Sequence, residues 1–224
     1  NTPDIVNYLV REGWPQDKAH YVPNFAEVNP EAKPMSRAAH YTPNHAPLVV
    51  AMGRLHENKA FDVLIKAMTR VPDAYLWLAG DGPERQKLEQ MALSEGIKPR
   101  TRFLGWQRDV SPLLAAADVF VCPSRHEPLG NVVLEAWALG RPVVAADAQG
   151  PGMLIEHGRN GLLVPVDDPA ALAQGIAWML GNPDDARAMA EAGRDSYMQD
   201  YSASVVIARY RRFFESVAAA PAEA

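Results

Sequence analysis

The chain has 224 residues, 48% hydrophobic and 22% charged, which suits one large domain or two small ones and excludes disordered, collagen-like and coiled-coil architectures. Its 22 Lys and Arg against 27 Asp and Glu leave a net charge of −5, which argues against nucleic acid as a partner but leaves room for a small cationic pocket. One cysteine and six scattered histidines offer no disulfide and no metal site, and no apolar run is long enough for a membrane span. A reducing, cytoplasmic setting is expected.

Residues 4–12 (DIVNYLVRE) have a short helical apolar period stopped by Gly13 and Pro15. HYVPNF (20–25) predicts a strand ending in a Pro-Asn turn, and Pro30, Pro34, Pro43 and Pro47 mark residues 27–46 as a linker. From Pro47 the pattern becomes regular. Apolar runs at 47–55, 74–83, 101–105, 118–125, 142–147 and 161–166 predict strands. Helical spacing at 60–71, 84–96, 109–117 and 131–140 predicts helices between them, and from Pro169 helices close the chain. Continuous rather than alternating apolar strands imply a sheet buried on both faces. The fold class is therefore α/β: a doubly wound, Rossmann-like parallel sheet with helices on both faces.

In such sheets the ligand sits beyond the carboxyl ends of the strands, so the turns at 53–59, 80–84, 105–106, 124–131 and 147–153 carry the functional expectation. GRLHENK (53–59) places Arg54 and Lys59 at a strand end, with Gly53 allowing close backbone approach. A guanidinium can grip two oxygens and an ammonium supplies a point charge, so a diphosphate is the matching ligand. Two solvated surface cations are the competing reading. The turn is not a P-loop, and G-x-G-x-x-G is missing after this strand.

Seven residues separate Glu127 from Glu135 in the segment 124–147. A helix beginning near Gly130-Asn131 would present the N–H groups of Gly130, Asn131 and Val132 to a phosphate. Glu135, one turn in, could accept hydrogen bonds from a ribose diol, while Glu127 reaches another part of the ligand. Paired carboxylates also fit a glycosidase, and a helix-dipole residue beside a solvated loop residue is the plain structural alternative. Cys122 lies in an apolar strand and reads as a core thiol. Trp77, Trp137 and Trp178 read as mostly core-facing, leaving Trp106 as the base-stacking candidate; His56 and His126 stand at strand ends. The last helix interleaves Val206, Tyr210, Phe213, Phe214 and Val217 with Arg209, Arg211 and Arg212. That face suits an anionic membrane, although packing against protein is the preferred reading.

The string EPLGNVVLEAWALGRPVVAAD, with MGRLHENKAFDVLIKA before it and LAGDGPERQKLEQ and FLGWQRDV between, resembles the donor-binding domain of the retaining GT-B glycosyltransferases of family four. The resemblance runs over roughly residues 8–210. Glu127 and Glu135 match the family's E-x7-E pair, and Arg54 and Lys59 match its first-turn cations; Ala60 stands where a glycine commonly follows the lysine. The resemblance implies transfer of a hexose from a UDP- or GDP-linked donor to a glycan or lipid-linked acceptor, as in lipopolysaccharide synthesis. By it, Arg54 and Lys59 hold the pyrophosphate, Glu127 the transferred sugar and Glu135 the ribose, with Arg54, Lys59 and Glu127 as the catalytic set. Gly80, Leu104 and Trp106 frame the base, and Gly53, Leu129, Gly130, Asn131 and Val132 complete the donor pocket. No metal or other cofactor is required, because the two cations supply the positive charge.

The chain opens Asn1-Thr2-Pro3 rather than with Met, which reads as a processed chain or a piece of a longer one. The expected division is 1–46 as the tail of an N-terminal domain plus linker, 47–200 as the nucleotide-sugar domain, and 201–224 as a helix crossing back, with a frayed end. The acceptor would be read by that N-terminal domain, and peripheral attachment at the inner face of the membrane is a further expectation. Two alternatives stand beside this reading: a nucleotide-binding module without turnover, and a nicotinamide-binding oxidoreductase domain, which the missing glycine fingerprint disfavours.

Overall fold

The computed structural model describes residues 2–219. Among them, six strands form one parallel sheet: β1 (Leu48–Met52), β2 (Tyr75–Ala79), β3 (Thr101–Gly105), β4 (Val119–Cys122), β5 (Val143–Ala146) and β6 (Leu162–Val164), in the order β3-β2-β1-β4-β5-β6. Each strand found lies within a run predicted from the sequence, and the α/β doubly wound class holds. Every residue of β1, β4 and β5 is buried, because the two-residue side-chain period feeds two cores at once. Val49, Ala51, Leu76, Leu78, Val121 and Val144 enter one core. It is covered by α2 (Phe61–Met68), α3 (Arg85–Ser94) and α7 (Pro169–Gly181). Leu48, Val50, Trp77, Phe120, Val143 and Ala145 enter the other, under α4 (Ser111–Ala116) and α5 (Asn131–Ala138). The chain is flanked by α1 (Pro3–Arg11) and closed by α8 (Pro183–Asp200) and α9 (Ala203–Ala219). No helix among the described residues is long and apolar enough to cross a membrane.

Four local expectations change. HYVPNF forms no strand: Pro23 has no N–H for a ladder, and the segment is held by side chains, with the His20 ring 5.2 Å from that of Phe213. The proline-rich stretch read as a linker is pinned to the sheet domain instead. The Ala26 carbonyl accepts from the Tyr197 hydroxyl at 2.9 Å, Met35 N–H donates to the Pro112 carbonyl at 2.8 Å, and Arg37 pairs with Asp118 at 2.9 Å. A helix, α6 (Gln149–Leu154), occupies the turn expected after β5, although two glycines and a proline oppose it; the Gly150 N–H bonds the Glu127 carbonyl at 2.7 Å. Trp178 is 38% exposed rather than core-facing, while Trp77 and Trp137 are fully buried. The frayed end expected of the Ala/Pro-rich tail lies outside the described residues.

Candidate functional site

The strand order reverses between β1 and β4, so the turns after these two strands diverge and leave a crevice at their carboxyl ends. The turns after β1, β2 and β3 are stacked backbone on backbone. Gly53 N–H donates to the Ala79 carbonyl at 3.0 Å and Gly80 N–H to the Gly105 carbonyl at 2.7 Å. A Cβ on Gly80 would lie 1.9 Å from the Gly53 carbonyl oxygen, so only glycine permits this approach. The structure thus gives Gly80 a packing role beside its expected place near a base.

The turn after β1 ends in a short 3-10 segment, Glu57–Lys59, followed by Ala60 at φ +52° and the start of α2. The left-handed turn commonly filled by glycine in the resembled family is kept here by an alanine. His56 caps this segment, its Nδ1 accepting from Asn58 N–H at 3.2 Å, and so has a local structural task. The Lys59 stem passes over Gly53, and its ammonium forms an ion pair with the carboxylate of Glu127. Arg54 is exposed, and no ion pair engages its guanidinium among the described residues.

The turn after β4 brings the carboxylates. Glu127 is buried at 8% exposure, and the Ser124 hydroxyl donates to it at 3.4 Å. Arg125 and His126 N–H both donate to the Asn58 carbonyl, at 2.8 and 3.2 Å, which joins this turn to the one carrying Lys59. The loop ends at Gly130, whose φ of +80° forms the N-cap of α5. The Gly130 carbonyl is the first acceptor of the helix, taking Val133 N–H at 2.8 Å, so Asn131 and Val132 N–H precede the ladder and sit at the positive end of the helix. Asn131 is exposed, Val132 partly so, and Leu129 is buried.

Glu135 follows one turn along α5. Burial, and then the charge of Glu127, push its carboxyl up to about 7. Burial likewise pushes the Cys122 thiol up to about 11, which makes it an inert core group. Trp106, directly after β3, is 78% exposed, and Leu104 is partly buried. Among the described residues no three His, Cys, Asp or Glu side chains are grouped to hold a metal ion. Two hollows, of about 670 and 780 Å³, lie at the amino-terminal edge of the sheet and beside β6, away from these residues.

The structure therefore gathers Lys59, Glu127, Glu135 and the α5 N-terminus at the switch point, with Arg54 at the rim. The sequence reading missed Arg125, Asp62 and Asp167, which knit the two turns together: Arg125 contacts Asp62 at 2.8 Å and Asp167 at 2.6 Å. Their charges stand 63 and 42 positions apart in the chain, and no local spacing marks them as partners.

A family model described as Glycosyl transferases group 1 matches residues 46–182. The lipopolysaccharide core biosynthesis glycosyltransferase LpsE of Rhizobium meliloti is 39% identical over 216 residues, covering 96% of this chain and 63% of LpsE. The chain thus spans less than two thirds of that relative. The crystal structure of Anabaena HepE in complex with UDP aligns with a TM-score of 0.88 at 25% identity, over 96% of this chain and 62% of HepE. HepE has also been solved with UDP-glucose, at a TM-score of 0.87. Sucrose-phosphate synthase from Thermosynechococcus elongatus aligns with a TM-score of 0.86 at 28% identity, over 99% of this chain and 58% of that one.

Proposed function

The chain belongs to the group 1 glycosyl transferases, and on that premise we propose that it is the donor-binding part of an enzyme transferring a hexose, with retention, from a UDP- or GDP-linked sugar to a glycan or lipid-linked acceptor. The observation that carries this reading is the opposition of Lys59 and Glu127 across the switch point, beside the open N-terminus of α5. The pyrophosphate would lie against the N–H groups of Gly130, Asn131 and Val132, within reach of Lys59 and of the exposed Arg54. Both cations would stabilise the negative charge that grows on the nucleoside diphosphate as the glycosidic bond breaks. Glu135 would accept the ribose hydroxyls, Glu127 would meet the transferred sugar, and the departing phosphate would take the acceptor's proton. The complexes of HepE with UDP and UDP-glucose support a uridine donor.

On the same reading, residues 47–200 are the nucleotide-sugar domain, to which residues 26–46 are pinned, while α1 and α9 meet a further domain that reads the acceptor. Exposed apolar side chains on α1 and α9, among them Ile5, Tyr8, Ile207, Phe214 and Val217, support such a contact. On the same reading the enzyme acts in the cytoplasm, peripherally at the inner face of the membrane. Calorimetric titration of this chain with UDP, GDP, ADP and NADH tests the donor reading. Saturable binding of UDP or GDP is expected; binding of NADH alone, or of none of the four, would overturn it.

A further inference from the structure

We propose that Arg125 is a positioning residue that holds the Glu127 loop in register with the Lys59 turn, so that the two charges stay opposed across the donor crevice. This rests on the donor-site reading above and adds to it a residue that touches neither phosphate nor sugar. All three nitrogens of the guanidinium are engaged. Nη1 donates to the Glu57 carbonyl at 2.7 Å and to Asp62 Oδ1 at 3.0 Å, Nη2 to Asp62 Oδ2 at 2.8 Å, and Nε to Asp167 Oδ1 at 2.6 Å. Its own N–H bonds the Asn58 carbonyl.

Glu57 and Asp62 bracket Lys59 in the chain, so Arg125 grips the Lys59 turn on both sides. Glu127 stands two residues from Arg125, so the same side chain sets the reach of the carboxylate. Asp167 completes the clamp from the turn between β6 and α7, where its backbone is held left-handed at φ +59°. Although burial alone would raise it, the Arg125 hydrogen bonds and charge hold the Asp62 carboxyl below its ordinary value.

Exposed single ion pairs contribute little, but a two-oxygen grip fixes direction as well as distance. A lysine ammonium cannot reproduce that fork. With four of its five guanidinium N–H groups committed to protein, Arg125 is spent on holding the turns together, which separates its role from those of Arg54 and Lys59. Without it the two turns would remain joined through the Asn58 carbonyl and the Lys59–Glu127 pair itself, and the latter is the contact a donor phosphate must compete with.

The test compares wild type, Arg125→Ala and Arg125→Lys by calorimetry with UDP-glucose and UMP, and with GDP-mannose and GMP if guanine is preferred. Thermal melting serves as the folding control. UMP lacks the second phosphate and the sugar, so it reads the Glu135 side of the site without the Lys59–Glu127 side. Arg125→Ala is expected to weaken the sugar nucleotide by about tenfold to a hundredfold while the monophosphate stays within about twofold, with Arg125→Lys in between. In a Lys59→Ala background the Arg125→Ala loss should vanish, because both changes act on one contact.

Equal loss of sugar nucleotide and monophosphate, no loss of either, or full additivity with Lys59→Ala would each overturn the positioning role. If Arg125→Ala fails to fold, the same selective loss must appear in Arg125→Lys, and its absence there overturns the proposal. Failure of the wild type to bind any of these ligands would instead strike the donor reading on which the proposal rests.

Discussion

Glu135 lies one turn into α5, largely out of solvent and in the field of Glu127, and its carboxyl is pushed up to about 7 from an ordinary 4.5. Between those values the folded chain keeps a proton that the unfolded chain has released, so stability falls as pH rises from about 4.5 to about 7. Above that window the cost of the buried charge is complete. Glu135→Gln removes the charge without changing the shape. It should raise the melting temperature at pH 8 and leave it near wild type at pH 5; equal shifts at the two pH values would contradict the burial account. Lys59 bears on the phosphate side. Lys59→Ala should weaken UDP by about 1.5–3 kcal/mol, the range for a hydrogen bond to a charged group, and leave uridine nearly unchanged. Equal losses measured by calorimetry would remove Lys59 from the phosphate contact.

Elements meet here through small residues at a few close contacts. On α8, a Cβ at Gly193 would stand 2.4 Å from Cδ1 of the buried Trp137 on α5, whose indole N–H bonds the Asn160 carbonyl at 3.0 Å. Within an exposed helix, Gly→Ala stabilises by about 1 kcal/mol. At this crossing the sign reverses, because overpacking a full core costs about 1–3 kcal/mol. Gly193→Ala should therefore lower the urea midpoint with the m-value unchanged, and an increase in the midpoint would show that α8 slides freely past α5. The six strands were legible because unbroken β-branched and aromatic runs such as LVVAM and VFVC have one natural home, a sheet covered on both faces. Helix α6 was not legible: Gly150, Pro151 and Gly152 speak against a helix, and the segment is fixed by contact with the Glu127 loop.

At the scale of the whole molecule, the leading segment is part of the sheet domain's fabric. Trp77, fully buried in β2, donates its indole N–H to the Thr42 hydroxyl at 2.9 Å, 35 residues earlier. Arg102 reaches back to the carbonyl of His40 at 2.7 Å. Thr42→Val keeps the side-chain shape but leaves a buried donor without an acceptor, at a cost of about 1–3 kcal/mol. Equilibrium denaturation followed by tryptophan fluorescence should show that loss; an unchanged midpoint would mean that residues 26–46 add no stability to the domain. Prolines at 30, 34 and 43 suggested a linker because they deny regular structure. They do not deny side-chain and carbonyl contacts, and those are what pin this stretch.

The sequence by itself determined the α/β class, the six strand segments and the residues most worth placing at the strand ends, Arg54, Lys59, Glu127 and Glu135. These rest on periodicity and turn chemistry, which act over a few neighbours along the chain. Tertiary structure alone decided that β1 and β4 stand side by side, that Lys59 and Glu127 meet across 68 positions, and that Arg125 locks their turns together. Such pairings are set by which crossovers bury both faces of the sheet, and that choice depends on every element at once.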